Sequence, residues 1–258
     1  MELSGNKVEL VTRHNKVVYR DGDRIVKAFV PTKPASDVFR EALNLARVAE
    51  GDLPVETPEV IEVSRLKDGS WALATDCFEG TTLAEQLLDA GGTPREGELL
   101  DQFVDLQIKV QQAPVPAALT HQSAKVVRMI GRVEGLDPSA RYDLQMRADR
   151  LRSGRAICHG DFNPSNVVVG EQGVCVCDWT HVTIGLPEAD AAMTYILFKL
   201  TFPALADAYL DAYSRYADMP KQKVRYWLPV VAAAELSRGR KGNEEFLRSM
   251  VSESNDYE

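Results

Sequence analysis

The chain has 258 residues, of which 45% are hydrophobic, 26% charged and 7% aromatic; that balance excludes disorder, collagen and coiled coil and suits one large domain or two lobes that need no disulfide or metal staple. The net charge of −8 is spread evenly, with −3 over residues 1–80, −2 over 81–150 and −3 over 151–258. A nucleic-acid backbone therefore finds no continuous counter-charge, whereas small cationic or neutral ligands are compatible with this charge, as are anionic ones held by a local nest of donors.

From the N-terminus, KVELVTR, KVVYR and RIVKAFV are short β-rich runs separated by His14-Asn15 and by Asp21-Gly22-Asp23, and Asp-Gly is a strong hairpin signal. From Ser36 the period changes. Val38, Phe39, Ala42, Leu45, Ala46 and Ala49 recur at helical spacing, with Ser36 or Asp37 as candidate cap and Gly51 as stop. Two more strands are expected at Glu59–Arg65 and Ser70–Phe78, joined by Lys67-Asp68-Gly69.

After Glu79-Gly80 the composition turns helical. Thr81 or Thr82 can cap LAEQLLDA, and Thr93-Pro94 opens a longer helix with Leu99, Phe103, Leu106 and Val110 on one stripe. Proline-rich APVPAA breaks the chain near residue 115, and helical patterns resume over about 122–135 and 138–152. Apolar β runs return between about 156 and 185, and helices follow from about 188 to 250. The polar tail SESNDYE is expected to fray. No run approaches the roughly 18 apolar residues of a membrane span, and MELSGNKVEL lacks the apolar core of a secretory signal. Four cysteines, Cys77, Cys158, Cys175 and Cys177, do not make a disulfide framework. The expectation is a cytoplasmic protein with neither nucleic-acid nor membrane partners.

The most informative segment is His159-Gly160-Asp161-Phe162-Asn163-Pro164-Ser165-Asn166, followed by VVV, a turn and VCVCDW. Asp161 and Asn166 lie five residues apart around a Pro-containing loop, and Asp178 ends the next strand twelve residues later. A β-hairpin would bring all three to one edge. Metal-assisted phosphoryl transfer needs such a set: one carboxylate to orient a hydroxyl, and an amide with a second carboxylate to hold Mg²⁺ against phosphates. The bland alternative is a polar turn beside an unrelated hairpin. Cys158, His159, Cys175 and Cys177 also offer zinc donors, but Cys-x-Cys is a poor structural zinc spacing, and cysteines in apolar strands are usually small core residues.

These residues resemble the aminoglycoside phosphotransferase and choline kinase superfamily, small-molecule relatives of the protein kinases, whose motif reads roughly HGDxxxxN, a hydrophobic strand, then IDW. The resemblance implies that Asp161 is the catalytic carboxylate, Asn166 a metal ligand, Asp178 the principal Mg²⁺ ligand, and His159 a structural residue beneath the loop. Gly185, Pro187 and Asp190 match a further family feature, with Asp190 accepting from catalytic-loop amides. Kinase-like catalysis also needs a third-strand Lys paired to a Glu on the next helix, and Lys27 and Glu41 stand in that order. Where the family has something like MEYIEG, this chain has Thr75-Asp76-Cys77-Phe78-Glu79-Gly80. Backbone groups near Asp76 and Phe78 would then meet adenine, with Thr75 at the back of the pocket.

The implied fold is α+β and bilobal, protein-kinase-like. An N-lobe over residues 1–80, with a five-stranded antiparallel sheet and one helix, would bind nucleotide. A mainly helical C-lobe over 81–258, with a short catalytic β-hairpin, would carry the loop, metal site and substrate helices. The implied cofactors are ATP and Mg²⁺, and the implied partner is a small-molecule hydroxyl acceptor. Two departures keep alternatives in play. The phosphate hairpin VTRHNKVVY contains no glycine, which motivates a catalytically silent nucleotide-binding regulator; Arg13 and Lys16 there could add charge or simply be solvated. A protein kinase fits less well, because Gly160 stands in place of Arg, no Ala-Pro-Glu follows, and only 12 residues separate Asp178 from Asp190. The implied acceptor is aminoglycoside-like, an amino alcohol or a sugar; Asp207, Asp211, Asp218 and Glu235 could bind an amino sugar or another cation, or lie on solvated helix faces.

Overall fold

The computed structural model describes residues 1–239 and 242–252. Five strands form one antiparallel sheet: β1 (Val8–Arg13), β2 (Lys16–Asp21), β3 (Arg24–Phe29), β4 (Val60–Arg65) and β5 (Trp71–Asp76), in the order β1-β2-β3-β5-β4. Two-residue turns make the first two connections, with Arg13 opposite Lys16 and Asp21 opposite Arg24. Gly22, at φ 70°, supplies the positive φ that the second turn needs.

Helix α1 (Ala35–Ala49) crosses between β3 and β4. Its cap is Pro34, not Ser36 or Asp37, and no side chain completes it. Instead the Pro34 carbonyl accepts from Asp37 and Val38, and Asp37 lies in the first turn, where the helix dipole favours a carboxylate. Val38 and Ala42 pack on Phe29 and Leu73 of the sheet. That packing turns Glu41 and Asn44, one turn along, toward the second lobe.

The second lobe starts with β6 (Thr81–Thr82) and α2 (Leu83–Asp89), where Thr82 and Glu85 form a capping box. Next come α3 (Pro94–Gln112), α4 (Gln122–Ile130) and α5 (Pro138–Asp149), then β7 (Ala156–Cys158), β8 (Val167–Gly170), β9 (Gly173–Val176) and β10 (Thr183–Gly185). Helices α6 (Pro187–Thr201), α7 (Ala206–Tyr216), α8 (Lys221–Arg225), α9 (Leu228–Leu236) and α10 (Glu244–Ser252) complete it. The helix expected over 122–135 ends at Ile130, because Gly131 closes it and Asp137 then caps α5 through Ser139 and Ala140. The expected fraying falls, from residue 253 onward, outside the described residues.

Strands β8 and β9 form the expected hairpin, and β6 joins it through Thr81 opposite Val169. β7 pairs instead with β10, Cys158 opposite Thr183. Beneath these strands Phe103 packs on Phe162, Phe198 and Tyr209, with ring centroids 4.9, 5.4 and 6.1 Å apart. This aromatic floor sets the height of the loop between β7 and β8. No helix among the described residues is long and apolar enough to cross a membrane.

Candidate active site

Lys27 points from β3 into the cleft between the lobes. Its Nζ donates to Glu41 Oε1 at 2.7 Å and to Asp178 Oδ1 at 3.0 Å. Burial works against the Lys27 charge, but Asp178 and Glu41 outweigh it and hold the ammonium well above its ordinary pKa. Asp178 answers in the opposite direction. Burial alone would raise it, yet Lys27 and Lys16, together with a 2.5 Å hydrogen bond from Thr180, keep it well below the usual carboxylate range. Its backbone is left-handed at φ 59°, which turns the chain sharply out of β9 and presents the carboxylate to the cleft.

Lys16, open in the sequence between added charge and solvation, faces the cleft. It is not a solvated hairpin lysine: its Nζ lies 3.1 Å from Asp178 Oδ2, and its side chain is only 15% exposed. Two ammonium groups from adjacent strands thus meet one carboxylate. The signal was the inward register of Lys16 beside the turn, which spacing alone could not separate from an outward one. The Arg13 side chain makes no hydrogen bond or ion pair among the described residues.

Across the cleft, Asp161 and Asn166 lie on one tight loop. Asn166 Nδ2 donates to the Asp161 carbonyl at 2.9 Å, Asn163 Nδ2 donates to the same carbonyl at 3.0 Å, and Asn163 Oδ1 accepts from Ser165. The Cys177 amide donates to the Asn166 carbonyl at 2.8 Å, which ties this loop to the residue before Asp178. Asp161, Asn166 and Asp178 are thereby brought to the same edge of the β8–β9 hairpin.

His159 lies under this loop, buried between Trp179 and Phe162. Its Nε2 donates to the Cys177 carbonyl at 3.0 Å and its Nδ1 accepts from the Asp161 amide at 3.2 Å, which specifies the neutral ring. Burial lowers its pKa, against the opposing pull of Asp190. The Asp190 carboxylate accepts from the Gly160 amide at 2.8 Å and from Gln111 at 3.0 Å, and Gln111 in turn accepts from Tyr213. Gln111 on α3 was not legible in the sequence, since glutamine on a helix face reads as solvent-facing until its neighbours are known.

At the lobe junction the Asp76 amide is taken by Glu59 and the Cys77 amide by Asp23. β5 ends at Asp76, whose carbonyl accepts from the Thr75 hydroxyl at 3.1 Å. Thr75 is buried. Of the acidic residues considered for an acceptor, Asp207 is held by Tyr195 at 2.8 Å and by Lys199 at 3.1 Å, Asp211 pairs with Lys221, and Glu235 lies 2.9 Å from Arg238. The Cys175 and Cys177 sulfurs are 3.8 Å apart, and Cys158 donates to the Leu186 carbonyl.

The sequence model of the phosphotransferase enzyme family matches residues 11–223, from β1 through α8. The chain belongs to this phosphotransferase family. Solved structures with the same fold include an apo thermostable mutant of aminoglycoside phosphotransferase APH(4)-Ia, 14% identical with TM-score 0.68, covering 96% of this chain and 93% of that one. A ternary complex of the same enzyme with AMP-PNP and hygromycin B is 13% identical with TM-score 0.68, over 98% and 94%. The GDP and kanamycin complex of APH(2")-IIia is 15% identical with TM-score 0.60, over 98% and 93%. At such identity the phosphotransferases share the bilobal kinase-like fold. No curated protein sequence matches the chain.

Proposed function

We propose that this phosphotransferase moves the γ-phosphoryl group of ATP onto a hydroxyl of a small molecule. The observation that carries the reading is the Lys27 ammonium, held by Glu41 and reaching Asp178 across the cleft from Asp161 and Asn166. Residues 1–80 would grip the nucleotide, with adenine against the Asp76 carbonyl and Phe78 amide. Residues 81–258 would supply the loop and the acceptor site. Known relatives crystallised with AMP-PNP or GDP support a nucleotide in this cleft.

Lys27 would bind the α- and β-phosphates, where its charge offsets theirs. Asp178 and Asn166 suit a hard cation: both offer oxygen, Asp178 is firmly ionised, and Asn166 spends its amide nitrogen on Asp161, which leaves Oδ1 as its outward end. These two residues would hold Mg²⁺, which when bound supplies positive charge to the triphosphate. Asp161 orients the acceptor hydroxyl and takes its proton. As the acceptor oxygen bonds to the γ-phosphorus, the bond from that phosphorus to the β–γ bridging oxygen breaks, and ADP leaves.

The test is Asp161→Asn. Turnover should fall by about 10²–10⁴-fold with nucleotide binding retained, as read by ATP consumption and by calorimetry. Near-normal turnover would remove Asp161 from the reaction. Mg²⁺-ATP binding by the parent chain with no transfer to any acceptor would identify a silent regulator instead.

A further inference from the structure

A second polar cluster lies beside the catalytic loop, outside the Lys27 network. Helices α4, α6 and α9 surround a small recess, about 40 Å³ in volume, that opens next to Gly160 and His181. Three ionic side chains line it besides Asp190: Lys125, Glu235 and Arg238. Met129 and Met193 supply adaptable apolar wall.

Two donors of the recess, Lys125 Nζ and Arg238 Nη1, are incompletely met among the described residues. Lys125 Nζ donates to the His181 carbonyl at 2.7 Å, and among the described residues no second acceptor takes its other two protons. Arg238 Nε lies 2.9 Å from Glu235 Oε2 as an ion pair, while Arg238 Nη1 is buried without a hydrogen-bond partner among the described residues. Asp190 is already committed to Gly160 and Gln111. Burial, and then Arg238, push the Lys125 ammonium down to about 7, despite Glu235, Asp161 and Asp190 nearby. A buried cation so poorly compensated gains from an incoming anion. The same interaction with Asp161 places the recess within electrostatic reach of the reacting carboxylate.

An amino sugar would find little here. Asp207, Asp211 and Asp218 do not line the recess, and its Glu235 already faces Arg238.

We propose that this recess is the acceptor site and that it selects hydroxy compounds carrying an oxyanion, a carboxylate or a phosphate monoester, held between Lys125 Nζ and Arg238 Nη1. The inference rests on the phosphotransferase reading above. The oxyanion would anchor one end of the acceptor, and its hydroxyl would extend past Gly160 toward Asp161.

The experiment measures binding by ligand-observed NMR on the whole chain loaded with Mg²⁺ and AMP-PNP. Matched sets are used: glycerol, glycerate and glycerol phosphate; glucose, gluconate and glucose phosphate; with kanamycin and hygromycin B as cationic members. An anionic member should bind at least about tenfold tighter than its neutral partner, and the carboxylate and phosphate arms distinguish the two oxyanions. Arg238→Glu should abolish or invert that preference. Lys125→Gln should weaken anion binding by roughly 10- to 100-fold, so that the inference stays testable if one variant fails to fold. Preference for neutral or cationic members, equal binding within the sets, no binding to any member, or an undiminished anion preference in a folded variant would overturn it. Failure of the parent chain to bind Mg²⁺-ATP would instead overturn the phosphotransferase reading.

Discussion

Lys27 stands between two carboxylates, Glu41 at 2.7 Å and Asp178 at 3.0 Å, so its removal leaves Glu41 buried and unpaired. Lys27→Met should cost about 3 kcal/mol in urea unfolding. Adding Glu41→Leu should recover most of that stability but not Mg²⁺-ATP affinity; a stable double variant with full affinity would remove Lys27 from the phosphate site. His159 gives a pH signature. Its folded pKa is depressed by burial, so the unfolded chain binds more protons below its own value of about 6.5. The stabilising contribution is complete above that pH and is lost as pH falls toward the folded value. Between pH 7 and 5 the parent should lose stability more steeply than His159→Gln, and parallel curves would refute a neutral buried ring. Lys27 and Glu41 were legible because strand, Lys, helix, Glu is an ordered pattern. Lys16 was not, because a lysine beside a hairpin turn has the same sequence signature whether it faces water or Asp178.

At the scale of elements, the loop that carries Asp161 depends on Gly160. Its φ is 75°, and a Cβ there would lie 2.9 Å from the His181 carbonyl. Gly160→Ala should therefore cost about 1–2 kcal/mol through the left-handed backbone, with added strain that shifts the Asp190 contact. Turnover should fall more than nucleotide affinity, and equal losses in the two would argue against a local effect on the loop. The long helices and the first three strands were readable from period and turn residues, since each buries one face along its whole length. The short strands were not. Thr81-Thr82 reads as a helix cap, and it is one through Thr82, yet the same two residues also pair with Val168 and Val169. Two residues carry no periodicity, so only the approach of β8 makes β6 a strand.

Across the whole molecule, the lobes are joined by polar contacts from several elements. Lys16 and Lys27 meet Asp178, Asn44 donates to the Thr180 carbonyl at 3.2 Å, and Glu56 exchanges backbone hydrogen bonds with Val174 and Val176. Lys16 is the contact made by the hairpin that lacks glycine. Lys16→Met should speed amide exchange at the β1–β2 turn in the nucleotide-free protein and weaken Mg²⁺-ATP binding by roughly tenfold; unchanged exchange would show that the hairpin does not depend on Asp178. The sequence by itself determined the kinase-like order of elements and pointed to Lys27, Glu41, Asp161, Asn166 and Asp178 as the proposed site, because local period, turn chemistry and motif spacing are properties of neighbouring residues. Only the tertiary structure decided that Lys16 belongs with Asp178, 162 residues away, and that Lys125 and Arg238 line one recess beside Gly160. Burial and pairing across such distances depend on how α4, α6 and α9 pack, and no local pattern encodes that.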